Sequence, residues 1–527
     1  MNANMKLLEE KHSKERNKMK RNFKLLLSSV LMSMVIAGCG EAKESPNAST
    51  PSTSTPTEST PIQNSSTEEV HHDPVTITYS AWNLGSADSD TPNLDRMMID
   101  EFQKKYPWIT VNIIERPKVA GTNDDMNWNE FLTARAATNR LPDVFIADTI
   151  PTYVQNNWVR PLNDLISADP EYQMLSQDIR NAAVYEGMTM ALPISVYYHG
   201  YVVNKTLFDR QNGDAPTSES TWTEFLNEIR ACAVHQSGGR GVVGLDGIEH
   251  IIHYYPSLLN DKYEWFTFDG EKFNLDSQEF AKTIEFYLSL YNDKSICIDG
   301  LSNSTEEQIG EKVDFFGEGN YFDDGKELAA WKATYDLGAV QAKIASGEYG
   351  ERELDFIGVP AYEDGAGNTI KRTMASLDFN VISSTTKNPE EAYLLAKWMG
   401  FGTEGYAKRL EISKNTEGID VLTFAPIVPN EELMDEFFKL YPGWDEYRKV
   451  VESQSFIIEP LKYQVGYNEC RYKGTYGSED TMFTIINKII TGQQKLSDIA
   501  SELNRRINEI YQENVTVFNA ALEQYYK

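Results

Sequence analysis

Cysteine is scarce in this chain, and its spacing excludes two kinds of scaffold. The 527 residues contain four cysteines, which are Cys39, Cys232, Cys297 and Cys470. No two of them have CxxC spacing, and no cysteines and histidines are spaced as in a structural zinc site. The sequence therefore predicts neither a disulfide-rich fold nor a zinc domain. We expect Cys232, Cys297 and Cys470 to be buried structural thiols.

Basic charge and long apolar runs are also in short supply. The chain has 49 Lys and Arg against 79 Asp and Glu, a formal net charge of −30. A surface of this sign repels phosphates, so we expect no nucleic acid partner. No second long apolar run follows residue 36, and 41% hydrophobic residues is typical of a soluble protein. The length predicts two lobes or domains rather than a single core.

The common enzyme motifs are missing or lie in the wrong context. Residues 239–244 satisfy G-x-G-x-x-G, but they follow a predicted helix and enter a strand, the reverse of the order that a dinucleotide site needs. Residues 249–253 contain two histidines without the HExxH spacing of zinc proteases. The chain has no P-loop and no GxSxG. We therefore predict no catalytic residues, no metal site and no cofactor.

The amino-terminal region is typical of an exported protein. A basic segment from Lys20 to Lys24 precedes the apolar run 25–36, which is too short to span a bilayer stably. The run ends in Ile-Ala-Gly before Cys39, which resembles a bacterial lipobox and implies cleavage and lipid attachment at this cysteine. A plain secretory signal is the alternative, and Met1 and Met19 both remain candidate start residues. We assign residues 1–39 to a lipoprotein signal peptide.

Residues 40–73 are rich in serine, threonine and proline and contain no aromatic residue. Such a segment cannot bury enough apolar surface to fold, so we predict a disordered tether.

The folded part begins with a pattern of alternating strands and helices. Strands are predicted at 75–79, 111–115 and 143–147, with helices at 94–106 and 128–139 between them. This order indicates a parallel sheet with crossover helices, in which ligand sites lie beyond the carboxyl ends of the strands. Trp82 and Asp148 come soon after the first and third strands, so both are placed for ligand contact.

The stretch from Tyr185 to Phe225 contains several short motifs in a fixed order. A Glu186-Gly187 turn leads to Leu192-Pro193, and a long extended segment then runs to Val203. Asn204-Lys205 begins a short helical piece, and Thr221 and Glu224 form a capping box at the start of the next helix.

These motifs resemble those of the extracytoplasmic solute-binding proteins of ABC importers, particularly the sugar-binding group. Further matching segments are Leu141–Phe145, Trp158–Asp164 and Lys387–Ala392, and the resemblance covers residues 75–515. Asn157 stands where that family usually has glycine, a position that an asparagine in the left-handed region can occupy.

The resemblance implies an α/β, two-lobed, periplasmic-binding-protein-like fold with three inter-lobe crossings. The crossings are expected near residues 194–198, 358–362 and 400–402. The lobes would then be 74–195 with 362–400, and 198–358 with 402–527. Within the second lobe we predict helices near Ser277–Tyr291 and Gly325–Tyr335.

A sugar cleft needs aromatic rings that stack on the C–H faces of the sugar, and carboxylates that accept hydrogen bonds from its hydroxyls. The chain has nine tryptophans and 28 tyrosines. We select candidate ligand-binding residues by their position in the predicted fold and by the positions at which the family that the chain resembles usually has cleft residues. We expect Trp128 to be a packing residue. The predicted ligand-binding residues are Trp82, Asp148, Tyr197, Tyr198, Trp331, Asp378 and Tyr476.

The resemblance implies a lipid-anchored receptor on the extracytoplasmic face of a bacterial membrane. It would capture a mono- or oligosaccharide and deliver it to the transmembrane permease subunits of an ABC importer. A receptor for a peptide or a polyol is an alternative. A secreted glycoside hydrolase is the alternative from another class, although no motif nominates the carboxylate pair that it needs. A structural lipoprotein is the third.

Overall fold

The computed structural model describes residues 72–526, except 86, 88–90, 123, 302–304, 454, 473 and 477–479. Residues 71–527 form one compact unit. The predicted signal peptide, Cys39 and nearly all of the predicted tether lie outside the described residues. Within those residues, no helix is both long and apolar enough to cross a membrane.

Strands and helices alternate through most of the chain. The strands are β1 (Val75–Ser80), β2 (Ile109–Ile113), β3 (Val144–Ala147), β4 (Val184–Tyr185), β5 (Met188–Thr189), β6 (Leu192–Asn204), β7 (Val243–Leu245), β8 (Glu327–Ala333), β9 (Leu354–Gly358), β10 (Tyr362–Glu363), β11 (Thr369–Ile370), β12 (Thr373–Ile382), β13 (Phe456–Ile458), β14 (Gly474–Tyr476) and β15 (Asp480–Thr481).

The first ten helices are α1 (Leu94–Lys105), α2 (Trp128–Ala136), α3 (Ile150–Gln155), α4 (Asn163–Ile166), α5 (Pro170–Met174), α6 (Gln177–Asn181), α7 (Lys205–Arg210), α8 (Trp222–Cys232), α9 (Ile251–Leu259) and α10 (Gln278–Asn292). The others are α11 (Glu306–Phe316), α12 (Leu337–Ala345), α13 (Pro389–Met399), α14 (Thr403–Asn415), α15 (Glu431–Phe438), α16 (Asp445–Ser453), α17 (Tyr467–Tyr472), α18 (Met482–Ile490) and α19 (Leu496–Leu522).

The main sheet has nine strands, and its order is β2-β1-β3-β12-β6-β8-β7, with β9 also paired to β6 and β13 to β12. β1 pairs in parallel with both β2 and β3, which confirms the predicted strand–helix–strand beginning. The mixed sheet with helices around it confirms the predicted α/β fold class.

Two long strands, β6 and β12, lie side by side at the centre of this sheet. The first residues of β6 pair with β12, and its last residues pair with β8 and β9. β12 in turn pairs with β13 at its start and with β3 at its end. At about 3.3 Å per residue, the 13 residues of β6 extend roughly 43 Å. We call the part of the sheet with β1–β3 the first half, and the part with β7–β9 the second half.

Several local predictions are confirmed by the backbone. Thr221 and Glu224 form the predicted capping box of α8. Asn157 has φ of 55°, the left-handed value expected of a residue that replaces glycine. Cys232, Cys297 and Cys470 are buried, and none of them forms a disulfide within the described residues.

The predicted helix at Gly325–Tyr335 is wrong, because residues 327–333 form strand β8. The segment Glu-Leu-Ala-Ala favours a helix by intrinsic propensity. In the folded chain it is enclosed between β6 and β7, and Leu328, Ala329 and Ala330 are all almost fully buried. Tertiary pairing therefore overrides local preference, and Trp331 lies on a strand.

The predicted lobe boundaries stay a prediction, but two observations bear on where they fall. The chain leaves β9 of the second half at residue 358 and pairs with β3 of the first half from Phe379 of β12 onward, so it passes between the halves within residues 358–379. Helix α14, which follows residue 402, packs on α1 of the first half, where Arg409 forms a buried ion pair with Asp95.

Candidate functional site

Trp82 and Asp148 lie where the strand order predicts them, after the carboxyl ends of β1 and β3. The Trp82 ring meets the Trp128 ring edge-on, with centroids 5.6 Å apart. Trp128 is only 6% exposed, in agreement with its predicted packing role. Arg116 lies over the Trp128 ring and donates to the Trp82 carbonyl at 3.3 Å. The Trp82 loop is therefore held by several contacts, while its ring remains half-buried.

The Asp148 carboxylate is fixed from two sides. Asn129 Nδ2 donates to it at 2.8 Å, and the Tyr153 hydroxyl donates to its other oxygen. Burial, followed by the neighbouring charge of Asp148, raises the pKa of Tyr153 far above its usual value, so Tyr153 remains a donor at all physiological pH. Asp148 is half-buried and retains acceptor capacity for hydroxyl groups.

Asp378 lies in the stretch of β12 that also pairs with β6, at an irregularity of the register between Asp378 and Phe379. Its carboxylate forms an ion pair with Lys462, which comes from the turn after β13. The Lys462 ammonium also lies over the Trp82 ring, 5.8 Å from its centroid. Lys462 thus joins Asp378 and Trp82 into one cluster, although it lies 84 residues from Asp378 in sequence.

Tyr197 and Tyr198 point to opposite faces of the sheet, as neighbouring residues of a strand must. The half-buried Tyr197 ring meets the rings of Tyr335 and Phe424 at 5.6 and 5.8 Å. Tyr198 is 7% exposed and packs against Phe456 on the other side. Burial raises the pKa of Tyr197 to about 12. The structure therefore brings Tyr197, and not Tyr198, to the face that carries Asp378 and His199.

Trp331 begins a second aromatic cluster on the second half of the sheet. The His250 ring stacks on it at 4.6 Å with an interplanar angle of 10°, and Tyr254 lies parallel at 6.1 Å. Gly247 approaches so closely that a Cβ at this position would lie 2.2 Å from the Trp331 Cβ. With φ of +71° as well, only glycine is readily accommodated there.

Polar side chains occupy the floor between the two tryptophan clusters. His199 Nε2 lies 2.9 Å from the Ser376 hydroxyl, and Arg471 lies 3.9 Å from Glu459. Burial, with His250 and Lys462 nearby, lowers the pKa of His199 to about 3. Burial, with Arg471 nearby, lowers the pKa of His250 to about 4. Both imidazoles are therefore neutral near pH 7, and each can donate and accept one hydrogen bond.

A cavity of about 420 Å³ opens beside this cluster, between the loop that follows Trp82 and the start of α12. Its walls are mostly polar and aromatic, and they include Asn83, Asp95, Tyr335, Arg409, Asp420 and Phe424. Among the described residues, no group of three or more His, Cys, Asp or Glu side chains is placed to hold a metal ion.

A family model for bacterial extracellular solute-binding proteins matches residues 87–401. The chain belongs to this family. Among curated proteins, none matches this solute-binding protein at a significant level.

Solved structures of similar fold include several solute-binding proteins. A Listeria monocytogenes ABC substrate-binding protein, solved with cycloalternan, is 17% identical, covers 83% of this chain and 99% of its own, and has a TM-score of 0.57. The cyclic α-maltosyl-1,6-maltose binding protein of Arthrobacter globiformis is 15% identical, with coverage of 84% and 100% and a TM-score of 0.56. The sugar-binding protein MalE of Xanthomonas citri is 14% identical, with coverage of 84% and 99% and a TM-score of 0.56. These similarities confirm the periplasmic-binding-protein-like fold.

In this solute-binding protein, Lys462 joins Trp82 to Asp378, and Tyr197 lies on the same face of the sheet as Asp378. Asp148 is held by Asn129 of α2, the helix whose first residue, Trp128, contacts Trp82. Trp331 lies in its own cluster on the second half, joined to the floor through His250. The backbone of Tyr476 belongs to β14, and its side chain lies outside the described part of the structure. Sequence reasoning missed His199, His250, Ser376, Glu459 and Lys462, because no local motif marks them. For Lys462, its position shortly after β13 is the signal that sequence reasoning could have used.

Two half-buried carboxylates hold the Trp331 cluster in place. Asp246 accepts from the Trp331 backbone N–H at 2.5 Å, and Asp299 accepts from the Ile248 N–H at 3.0 Å. Burial raises the pKa of Asp246, and burial with the nearby Glu249 raises that of Asp299 to about 6. The charged groups that face Asp246 are Asp299, Lys332, Glu249 and Glu327.

We expect Asp246→Asn to stabilise the protein increasingly as pH rises. A carboxyl whose pKa is raised by folding contributes stability below its unfolded pKa of about 4 and loses it as pH rises through the folded value. The amide oxygen of asparagine still accepts from Trp331. The difference in unfolding free energy between variant and wild type, measured by urea denaturation, should widen from pH 4 to 7. The control Glu351→Gln, at an exposed carboxylate, should show a constant difference, and a constant difference for Asp246→Asn would refute the prediction.

Proposed function

We propose that this protein is the receptor subunit of a carbohydrate ABC importer. It captures a mono- or oligosaccharide between two lobes and delivers it to a membrane permease. The observation that carries the proposal is the pairing of two tryptophan clusters with a polar floor between them. Trp82 and Trp331 offer rings to the C–H faces of a sugar, and Asp148, Asp378 and His199 offer acceptors to its hydroxyls.

The pairing of charges in the site favours an uncharged ligand. Lys462 is neutralised by Asp378, Arg471 lies next to Glu459, and the two imidazoles are uncharged near pH 7. Asp148 remains, and its negative charge disfavours a uronic acid or a phosphorylated sugar. Of the three proteins of similar structure described above, one was solved with an oligosaccharide and two are sugar-binding proteins, which supports the ligand class without fixing the ligand.

The proposed lobes follow the two halves of the sheet. We place the first crossing in β6, since it pairs with β12 at its start and with β8 and β9 at its end. We place the second where the chain passes from β9 into β12, which pairs with β3. The third is placed after α14, since that helix packs on α1 of the first half. Closure about these segments brings Trp82 and Trp331 toward a common ligand. The closed form is then the one that a permease distinguishes from the open form.

The test is thermal melting of residues 74–527 against neutral, acidic and amino mono- and oligosaccharides, with polyols and peptides as further arms. A ligand at 100 times its dissociation constant stabilises a protein by about 2.7 kcal/mol. We expect a neutral sugar to raise the melting temperature and to be recovered intact. Recovery of a cleaved product would favour the glycoside hydrolase, and a shift with peptides or polyols alone would replace the carbohydrate proposal.

We also propose that Cys39 carries a lipid that tethers the protein to the outer face of the membrane. The lipobox-like sequence before Cys39 supports this proposal. Mass spectrometry of the mature protein should find a diacylglyceryl group on Cys39. A mature protein that lacks this mass and leaves the membrane in buffer would refute the anchor.

A further inference from the structure

The last long helix, α19, belongs to the cores of both halves of the molecule. It has 27 residues and is about 40 Å long at 1.5 Å per residue. Ile499, Leu503 and Ile507 are buried in the core of the second half, together with α9 and α10. Phe518 and Leu522 are buried in the core that contains β1 and β3. The helix contains neither glycine nor proline, so one uninterrupted element joins the two cores.

Hydrogen bonds and one aromatic contact attach residues 518–525 to the first half. Gln524 Nε2 donates to the Val154 carbonyl at 3.0 Å, at the end of α3. The Tyr525 hydroxyl lies 3.1 and 3.0 Å from the carbonyl oxygens of Val154 and Val159 and donates to them. The Phe518 ring packs on Tyr185 with centroids 5.0 Å apart. These contacts fix the helix end with apolar burial and hydrogen bonds together.

These contacts lie behind the hinge, which is the set of inter-lobe crossings proposed above, on the side away from the proposed ligand site. Lys462 points to Asp378 and Trp82, on the proposed ligand side. The next residue, Tyr463, accepts from the Tyr185 hydroxyl with its carbonyl oxygen and lines a cavity on the other side. That cavity measures about 300 Å³, and α19 forms one of its walls with Tyr511, Val515 and Phe518. Phe268 of the second half and Ala182 of the first half lie across it.

We infer that α19 is a brace behind the hinge, and that Phe518 and Tyr525 are positioning residues for a site they do not touch. The inference rests on the lobe closure proposed above. Opening the ligand side would narrow the rear cavity, because Phe268 of the second half and Ala182 of the first half would approach each other across it. A stiff helix held in both cores resists that narrowing. The brace therefore keeps the lobes near the geometry that binds ligand.

Spin labels on two exposed positions, one in each half, test the brace without any ligand. Asp100→Cys on α1 and Lys282→Cys on α10 provide the sites, and the three described native thiols are buried. In the ligand-free protein, Phe518→Ala and Tyr525→Phe should each broaden the distance distribution between labels and shift it away from the wild-type maximum. Phe518→Leu should restore most of the wild-type distribution, because it refills the apolar contact.

Val517→Ala is the matched control, since Val517 is the adjacent residue of the same helix and is 61% exposed. It should leave the distribution unchanged. If Phe518→Ala does not fold, the distance distribution of Tyr525→Phe tests the inference, because this substitution removes only one hydroxyl and leaves the packing intact. Distributions equal to wild type in the folded variants would overturn the inference, whatever the protein binds.

A second arm uses any sugar that the melting panel identifies. Tyr525→Phe should weaken its binding by about threefold or more, because a smaller fraction of the protein is poised to bind. Only this arm depends on the proposed function. Unchanged affinity together with a broadened distribution would show a brace that does not control binding, and would overturn the positioning role.

Discussion

Trp82→Ala is expected to weaken sugar binding by about 10- to 100-fold. Burying one large aromatic side chain against a ligand contributes about 1.5–3 kcal/mol, and every 1.4 kcal/mol corresponds to a tenfold change in affinity. The Trp82 ring is half-buried, flanked by Trp128 and by the Lys462 ammonium. The part of the ring that remains exposed contributes little to the stability of the ligand-free protein. Isothermal titration with the sugar identified by melting measures the change.

Two variants separate a binding effect from a general loss of structure. Trp82→Phe keeps an aromatic face and should recover most of the affinity. Trp108→Ala removes a half-buried tryptophan just before β2, at the amino end of the same half of the sheet, and should leave affinity unchanged. Equal losses for Trp82→Ala and Trp108→Ala would show that Trp82 acts through stability and would remove it from the site.

Arg409→Met is expected to destabilise the fold by about 3–5 kcal/mol, because it leaves Asp95 buried without its cation. Asp95 and Arg409 are 8% and 6% exposed, and their charged groups are 2.5 Å apart. Arg409 also donates to the Met399 carbonyl at 3.1 Å and lies over the Phe424 ring. Urea denaturation of wild type and variant measures the loss.

Glu404→Ala is the control for this ion pair. Glu404 comes from the same helix, α14, and pairs with Lys105 at the surface. Exposed ion pairs contribute about 0–1 kcal/mol, so this variant should unfold near the wild-type denaturant concentration. A loss below about 1 kcal/mol for Arg409→Met would contradict the prediction. It would mean that the hydrogen bond that Asn83 already donates to Asp95 is enough to hold this carboxylate without the cation.

The sequence predicts the first half of the fold well because its signals are local. The order of β1, α1, β2, α2 and β3 can be predicted from apolar periodicity and turn residues, and that order alone places Trp82 and Asp148 at one edge of a sheet. The long strand β6 was predictable for the same reason. Because side chains alternate along a strand, Tyr197 and Tyr198 must point to opposite faces of the sheet. Only the strand pairing shows which of these two tyrosines lies on the same face as Asp378.

The remainder of the site depends on contacts that local patterns do not encode. Lys462 meets Asp378 and Trp82 only after the chain has crossed the hinge several times. The strand at Trp331 is imposed by its neighbours in the sheet, against a helix-favouring sequence. Likewise, the periodicity of α19 indicates an apolar face but not that two different cores share it. Such features follow from topology, and a single sequence predicts topology less well than it predicts elements.

The position of β12 has a consequence for how the protein is made. This strand lies between β3 and β6, yet it is synthesised after both, since β6 ends at Asn204 and β12 begins at Thr373. At about 5–20 residues per second, a ribosome needs roughly 10–30 s to make the intervening chain. Throughout that interval β3 and β6 lack their shared neighbour and present unpaired edges, which are prone to join other chains. The main sheet therefore cannot be completed until β12 has been synthesised. We expect the yield of folded protein to depend on factors that prevent β3 and β6 from pairing with other chains before then.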